Sequence, residues 1–180
     1  ASHGVKYGAI GLLNTDWGDY GHINDPRLSV PGILYGAALG WNIDPVPFDQ
    51  MNEAISMLAY GDCTGKFVGA MVALESHEVF DWQHVVSWIE ATDEPARQAV
   101  LAQVQTAQIP VANKALSAGC RSLMRAASAL PRGGKEVVPV LLASAEGAML
   151  WNEIALLLAG PLSLKQEGGA VQLASRLENW

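Results

Sequence analysis

Gly11-Leu12-Leu13-Asn14-Thr15-Asp16-Trp17-Gly18-Asp19-Tyr20-Gly21-His22 is the stretch on which the reading of the chain turns. The apolar run before and into it, residues 7–13, has the length and composition of a buried strand. The run ends in polar and aromatic side chains set between glycines. Loops at the carboxyl end of a strand are where α/β folds present side chains to a ligand. Downstream, residues 14–29 read as loop, and Val30-Pro31-Gly32 opens a helix to about residue 40. Pro31 suits a first helical turn, and Ile33, Leu34, Ala37, Ala38 and Trp41 follow helical spacing. Strand, loop and helix make half of a βαβ repeat. One strand forms no sheet, so its partner must come from elsewhere. Upstream, residues 1–6 read as the end of a helix stopped at Gly4.

Beyond Asp44-Pro45-Val46-Pro47, a clear boundary, the pattern is helical throughout. Helices are expected over residues 48–60 with Gly61 as the stop, over 65–79 and over 81–90. Asp93 and Pro95 start another over 94–130, which Pro110 kinks or splits. Residues 131–134 form a turn, and the nearly all-apolar 136–159 should lie in the middle of the bundle. Gly160-Pro161 stops it, and a weaker helix covers 169–177. The expected fold is therefore mainly α: a helical bundle over 45–180, preceded by one strand–helix unit over 1–44.

Composition narrows the function. The chain has 180 residues, half of them apolar, which suits a globular fold with a sizeable core. The net charge is −7, and residues 1–100 hold four Lys and Arg against thirteen Asp and Glu. That imbalance disfavours phosphate backbones, so nucleic acid is not an expected partner, and it suits a neutral ligand such as a sugar. No membrane partner is expected, because the longest apolar stretch, 137–159, is interrupted by Ser144, Glu146, Asn152 and Glu153. Cys63 and Cys120 define no disulfide framework and leave the compartment open.

In the loop, Asp16 and Asp19 flank Trp17, and His22 follows three residues later. An aromatic ring beside a carboxylate is a common way to hold a pyranose, the ring on its apolar face and the carboxylate on its hydroxyls. Gly18 and Gly21 allow close backbone approach. Plainer roles stand beside these: Trp17 as a core residue, Asp19 as a turn-capping aspartate, Asp16 holding the loop by local side-chain bonds. A metal site of Asp16, Asp19 and His22 matches no established ligand spacing, and no cofactor or metal is expected. His77 and His84 fall seven apart on expected helices with no third ligand near in sequence. Trp82, Trp88 and Trp151 sit at helical spacing and read as core, and Asn152-Glu153 as a buried polar pair. Gly133-Gly134 lacks the residues of a phosphate loop.

The order strand, Thr15-Asp16-Trp17-Gly18-Asp19-Tyr20-Gly21-His22, loop, then a Pro-led, Ala-rich helix ending in Trp41 resembles the last βα unit of glycoside hydrolase family 20. These are β-N-acetylhexosaminidases with a (β/α)8 barrel, and the form here is similar to bacterial members that carry a helical domain after it. The resemblance implies that Trp17 lines the subsite of the terminal sugar and that Asp19 binds its outer hydroxyls, with Tyr20 and His22 as neighbours. Asp19 stands where the family usually has Glu, one methylene longer. The family's general acid belongs to an Asp-Glu pair on an earlier strand. Here the only such dipeptide is Asp93-Glu94, where Pro95 marks a helix start. The chain is thus expected to contribute part of a sugar site within a larger hydrolase and not to cleave a glycoside alone. The alternative is a stand-alone helical association module, in which the unpaired strand edge favours a homodimer.

Overall fold

The computed structural model describes residues 2–16, 25–42, 46–74, 77–160 and 169–180. The described residues are mainly helical and contain no strand. The elements are α1 (Ser2–Lys6), α2 (Pro26–Trp41), α3 (Phe48–Tyr60), α4 (Phe67–Val72), α5 (Trp82–Glu90), α6 (Glu94–Gln103), α7 (Ile109–Ala127), α8 (Val138–Ala159) and α9 (Gly169–Asn179). Short 3-10 turns at Thr106–Gln108 and Gly133–Val137 precede α7 and α8. The chain packs as two compact units, residues 1–72 with 123–140, and residues 73–122 with 141–180.

Several ends differ from those the sequence suggests. Helix α1 runs through Gly4 and stops at Gly8, whose φ of 73° is left-handed. Gly8 N–H donates to Val5 O and Ala9 N–H to Gly4 O, the paired bonds of a Schellman motif. Residues 7–13 are not a strand. With no strand to pair with among the described residues, they form a turn and an irregular stretch. Tyr7, Ile10, Leu12 and Leu13 are consequently exposed. Helix α2 starts at Pro26, well before Pro31, because Asp25 caps it: the carboxylate accepts from Arg27 N–H at 2.9 Å.

In the first unit, Tyr35 of α2 packs on the Phe48 ring at 5.2 Å and donates its hydroxyl to Asn52 Oδ1 of α3. The packing thereby groups α2 with α3 across residues 44–45. Met51, Ile55 and Tyr60 of α3 are buried, as are Phe67 and Val68 of α4. Gly61 ends α3 at a φ of 68°, as its position predicts. The next turn is organised by Asp62, which is fully buried. Its carboxylate accepts from Thr64 N–H at 2.9 Å, Thr64 Oγ1 at 2.6 Å, and Lys66 and Phe67 N–H at 2.8 Å each. Burial pushes this carboxyl up, but the Thr64 hydroxyl and the amides outweigh it and hold the group below its ordinary value. Asp62 is therefore the cap that sets the start of α4.

In the second unit, Phe80, Leu101, Val104, Ile109 and Ala155 form a buried cluster, with Trp88 and Trp151 packed against it. Trp82 meets Trp151 at 5.1 Å, so these indoles are packing residues, as their spacing suggests. The expected long helix over 94–130 is split rather than kinked, and the break at residues 104–108 lies just before Pro110. The helix expected over 65–79 ends at Val72. Downstream of it, the backbone of residues 77–80 turns to Asn152, a fully buried residue of α8. Asn152 Oδ1 accepts from Val79 N–H at 2.8 Å and Phe80 N–H at 3.1 Å, and its Nδ2 donates to His77 O at 3.0 Å. Those backbone groups thus find partners outside a helix. Glu153 does not share the buried site, and instead pairs with Arg176 of α9.

By length and composition, the run Gly133–Ala159 is apolar enough to cross a membrane, contrary to the expectation from its interruptions. Within the second unit it buries Leu141, Ala145, Gly147, Leu150, Asn152 and Ala155, and 33 % of its most apolar stretch is buried.

Candidate functional site

Trp17, Asp19, Tyr20 and His22 lie outside the described residues, with the rest of 17–24. What is described is the frame on either side of them. Asn14 Nδ2 donates to Gly32 O at 3.0 Å and to Ile33 O at 3.4 Å, both on α2. Asp16 Oδ2 accepts the Ser29 hydroxyl, also on α2. Asp16 thus holds a residue 13 positions away, a tertiary role that its local sequence did not announce.

These contacts set a register. Asp16 meets Ser29, Asn14 meets Gly32 and Ile33, and a Cβ on Gly40 would lie 3.8 Å from Leu12 Cδ2. Residues 12–16 therefore run antiparallel to α2. From Asp16 to Leu12 an extended chain advances about 13 Å. From Ser29 to Gly40 the helix advances about 16 Å. Even at full extension the segment is shorter than the helical advance, so the Leu12 end meets α2 through its side chain. These residues are not assigned as a strand, and no ladder partner is present among the described residues. The groove between the segment and α2, about 320 Å³, is lined by Leu12, Asn14, Ile33, Gly36, Ala37, Gly40 and Trp41.

On the far side of the undescribed segment, Asp25 carries α2. Its Oδ1 accepts from Arg27 N–H and, at 2.8 Å, from Arg27 Nε. The Arg27 guanidinium, then its backbone amide, draw the Asp25 carboxyl down to about 2, so the cap is ionised at neutral pH. Arg27 Nη1 also reaches Glu136 O at 3.5 Å.

Helix α2 has an apolar sequence, yet among its residues only Pro31 is buried. Trp41 is 92 % exposed, and Ile33 and Leu34 are exposed as well. Apolar surface of this extent marks a face that usually meets other protein.

Among the described residues no three His, Cys, Asp or Glu side chains converge on a metal site. His77 does not share a helix with His84, whose Nδ1 lies 2.7 Å from Asp81 Oδ1. Cys63 and Cys120 are both free thiols. A second groove, about 210 Å³, lies in the second unit between Phe80, Val85, Trp88, Ile89, Trp151, Ile154 and Leu158. Its lining is entirely apolar side chains, so it offers no group for acid–base or nucleophilic chemistry.

Sequence reasoning passed over Asn14, Ser29 and Gly36. The Asp25-Pro26 pair was a readable signal, because it is a cap followed by a first-turn proline. No family model matches the chain, and no curated protein or solved structure does either.

Proposed function

We propose that this chain is the C-terminal segment of a glycoside hydrolase similar to the family 20 β-N-acetylhexosaminidases, acting on terminal N-acetylhexosamine of glycans. Residues 1–44 would be the last β/α unit of its barrel and residues 45–180 a helical domain. Trp17 and Asp19 would form one wall of the sugar subsite, with Tyr20 and His22 beside them, and the general acid would lie on an earlier strand. The sequence feature that carries this reading is the Thr15–His22 motif, and the bonds of Asn14 and Asp16 to α2, which lay the residues before the motif along the helix after it, support it. The uncovered apolar surface of Ile10, Leu13, Ile33 and Trp41 supports it, since neighbouring barrel units would cover these side chains.

The test is binding and turnover. Joined to an upstream barrel, the chain should complete N-acetylglucosamine binding, and Trp17→Ala should weaken it by about tenfold or more. The chain alone should not turn over an aryl N-acetylglucosaminide. Undiminished binding by the Trp17 variant removes the indole from the subsite, and turnover by the chain alone refutes the placement of the acid.

The same uncovered residues favour a second reading, association of two copies through residues 7–13. Sedimentation separates the two, because a stable dimer with no sugar affinity supports association alone.

A further inference from the structure

We infer that the apolar groove of the second unit, with Arg97 stacked on one of its walls, is a binding site for a small aryl monocarboxylate, whose ring enters the groove and whose carboxylate meets the Arg97 guanidinium. Every residue involved belongs to the second unit, so the site stands or falls independently of the saccharide subsite.

Two helices build the walls. Val85 and Trp88 of α5 recur at the spacing of one helix face, as do Trp151, Ile154 and Leu158 of α8, and buried Phe80 adds to the lining. The groove measures about 210 Å³. An apolar cavity of about 150 Å³ admits benzene, so a single ring with a short chain fits here, whereas the pockets of larger ligands run from roughly 300 Å³ upwards. Three aromatic side chains in the lining favour a flat aromatic body. A sugar ring is a poor match, because the lining offers no partner to its hydroxyls.

Polar groups stand against these walls. The Arg97 guanidinium carbon lies 5.3 Å from the centre of the Trp88 ring, and Trp82 packs on Trp151 at 5.1 Å. Trp82 Nε1 and Arg97 Nε are both buried without a hydrogen-bond partner among the described residues. Indole and guanidinium nitrogens only donate, so what they lack is an acceptor. The ion pair of Arg97 with Glu94 is long, 4.0 Å, beyond hydrogen-bonding distance, and Glu94 already accepts from Gln98 at 2.7 Å. The Arg97 side chain is 38 % exposed, so a solute reaches it. A planar guanidinium held on an indole is set to take both oxygens of a carboxylate, whereas an uncharged acceptor would answer the hydrogen bond and leave the charge unmatched.

Hydrocinnamate and its uncharged counterpart, hydrocinnamyl alcohol, are titrated into the full chain by calorimetry. The acid should bind one to one with a Kd below about 1 mM, and the alcohol at least about tenfold more weakly. Arg97→Gln should bring the acid down to the affinity of the alcohol and leave the alcohol unchanged. Ile89→Trp places a larger side chain at a lining position that is 64 % exposed, and should abolish binding of both while the helical circular dichroism is kept. If that variant fails to fold, Arg97→Gln, at a partly exposed side chain, carries the decision.

Absence of saturable acid binding overturns the site. So does equal affinity for acid and alcohol, or an Arg97→Gln chain that holds the acid as the parent does. Retained binding in a folded Ile89→Trp chain puts the ligand outside the groove and overturns it too. A chain that binds no acid but dimerises in sedimentation, with the dimer lost in Trp88→Ala, assigns the groove to a second copy instead.

Discussion

Asn152 donates its side-chain amide to Asn113 Oδ1 at 2.8 Å, so two helices of the second unit are joined through a pair of asparagines. Asn152 also takes the backbone of residues 77–80, while Asn113 Nδ2 reaches Met149 O at 3.3 Å. Asn152 is fully buried, so its removal would leave several polar groups without partners. Asn152→Ala should cost about 3 kcal/mol, and Asn113→Ala, which leaves the turn satisfied, about 1 kcal/mol. Urea unfolding of the two variants measures the difference. Equal costs would show that the turn is not held by Asn152.

Asp62 gives a pH dependence whose sign follows from its bonds. Its folded carboxyl lies below the ordinary value, so the ionised form stabilises the fold. That contribution is complete above the unfolded value, about pH 4, and is lost as pH falls through the lowered folded value. Asp62→Asn, with one acceptor oxygen instead of two, should lose about 1.5 to 3 kcal/mol at neutral pH and flatten the acid limb of the stability profile. An unchanged acid limb in the variant would assign it to other carboxylates.

Gly133 and Gly134 are adjacent but should tolerate substitution very differently. A Cβ on Gly134 would lie 2.3 Å from Tyr60 O, a backbone atom at the end of α3, while one on Gly133 would meet nothing within 4 Å. Gly134→Ala should destabilise by at least about 2 kcal/mol, and Gly133→Ala by less than about 0.5 kcal/mol. Thermal or urea unfolding of the pair checks the contrast, and similar values would reject the close approach.

The last helix is docked in part through the residue that follows it. Trp180 Nε1 donates to Ala143 O at 2.8 Å, and a Cβ on Gly147 would lie 2.5 Å from the indole. Gly147→Ala should therefore displace Trp180 and speed amide exchange in α9, with little effect on α5. Retained protection of α9 in the variant would show that buried Leu173 and the Arg176–Glu153 pair suffice to dock it.

Helix positions were most legible where caps and glycines mark them. Asp81, Asp93 and Gly61 bound their helices as read, because each acts through its own neighbours. The start of α2 was misplaced because Pro31 drew attention from Asp25-Pro26, which obeys the same rule five residues earlier. The run at 7–13 shows a different limit, since its length and apolarity describe what a strand would need without supplying the second strand that hydrogen-bonds to it. The turn at residues 77–80 depends on Asn152, which joins residues more than seventy positions apart, and no local pattern announces such a bond. The frame of the candidate site was hidden for the same reason. Asn14, Ser29 and Gly36 acquire meaning only once the chain before the loop lies against the helix after it.

The Asn14–Gly36 fit also bears on how such sequences diverge. A Cβ on Gly36 would lie 2.2 Å from Asn14 Nδ2, so a chain that keeps the asparagine is confined to glycine there, whereas one that loses the amide keeps only the 3.2 Å approach of the residue-14 Cβ and gains the more helix-favouring alanine at lower cost. Drift at the two sites is therefore coupled in one direction: homologues that keep the asparagine should keep the glycine, while glycine without the asparagine stays permitted.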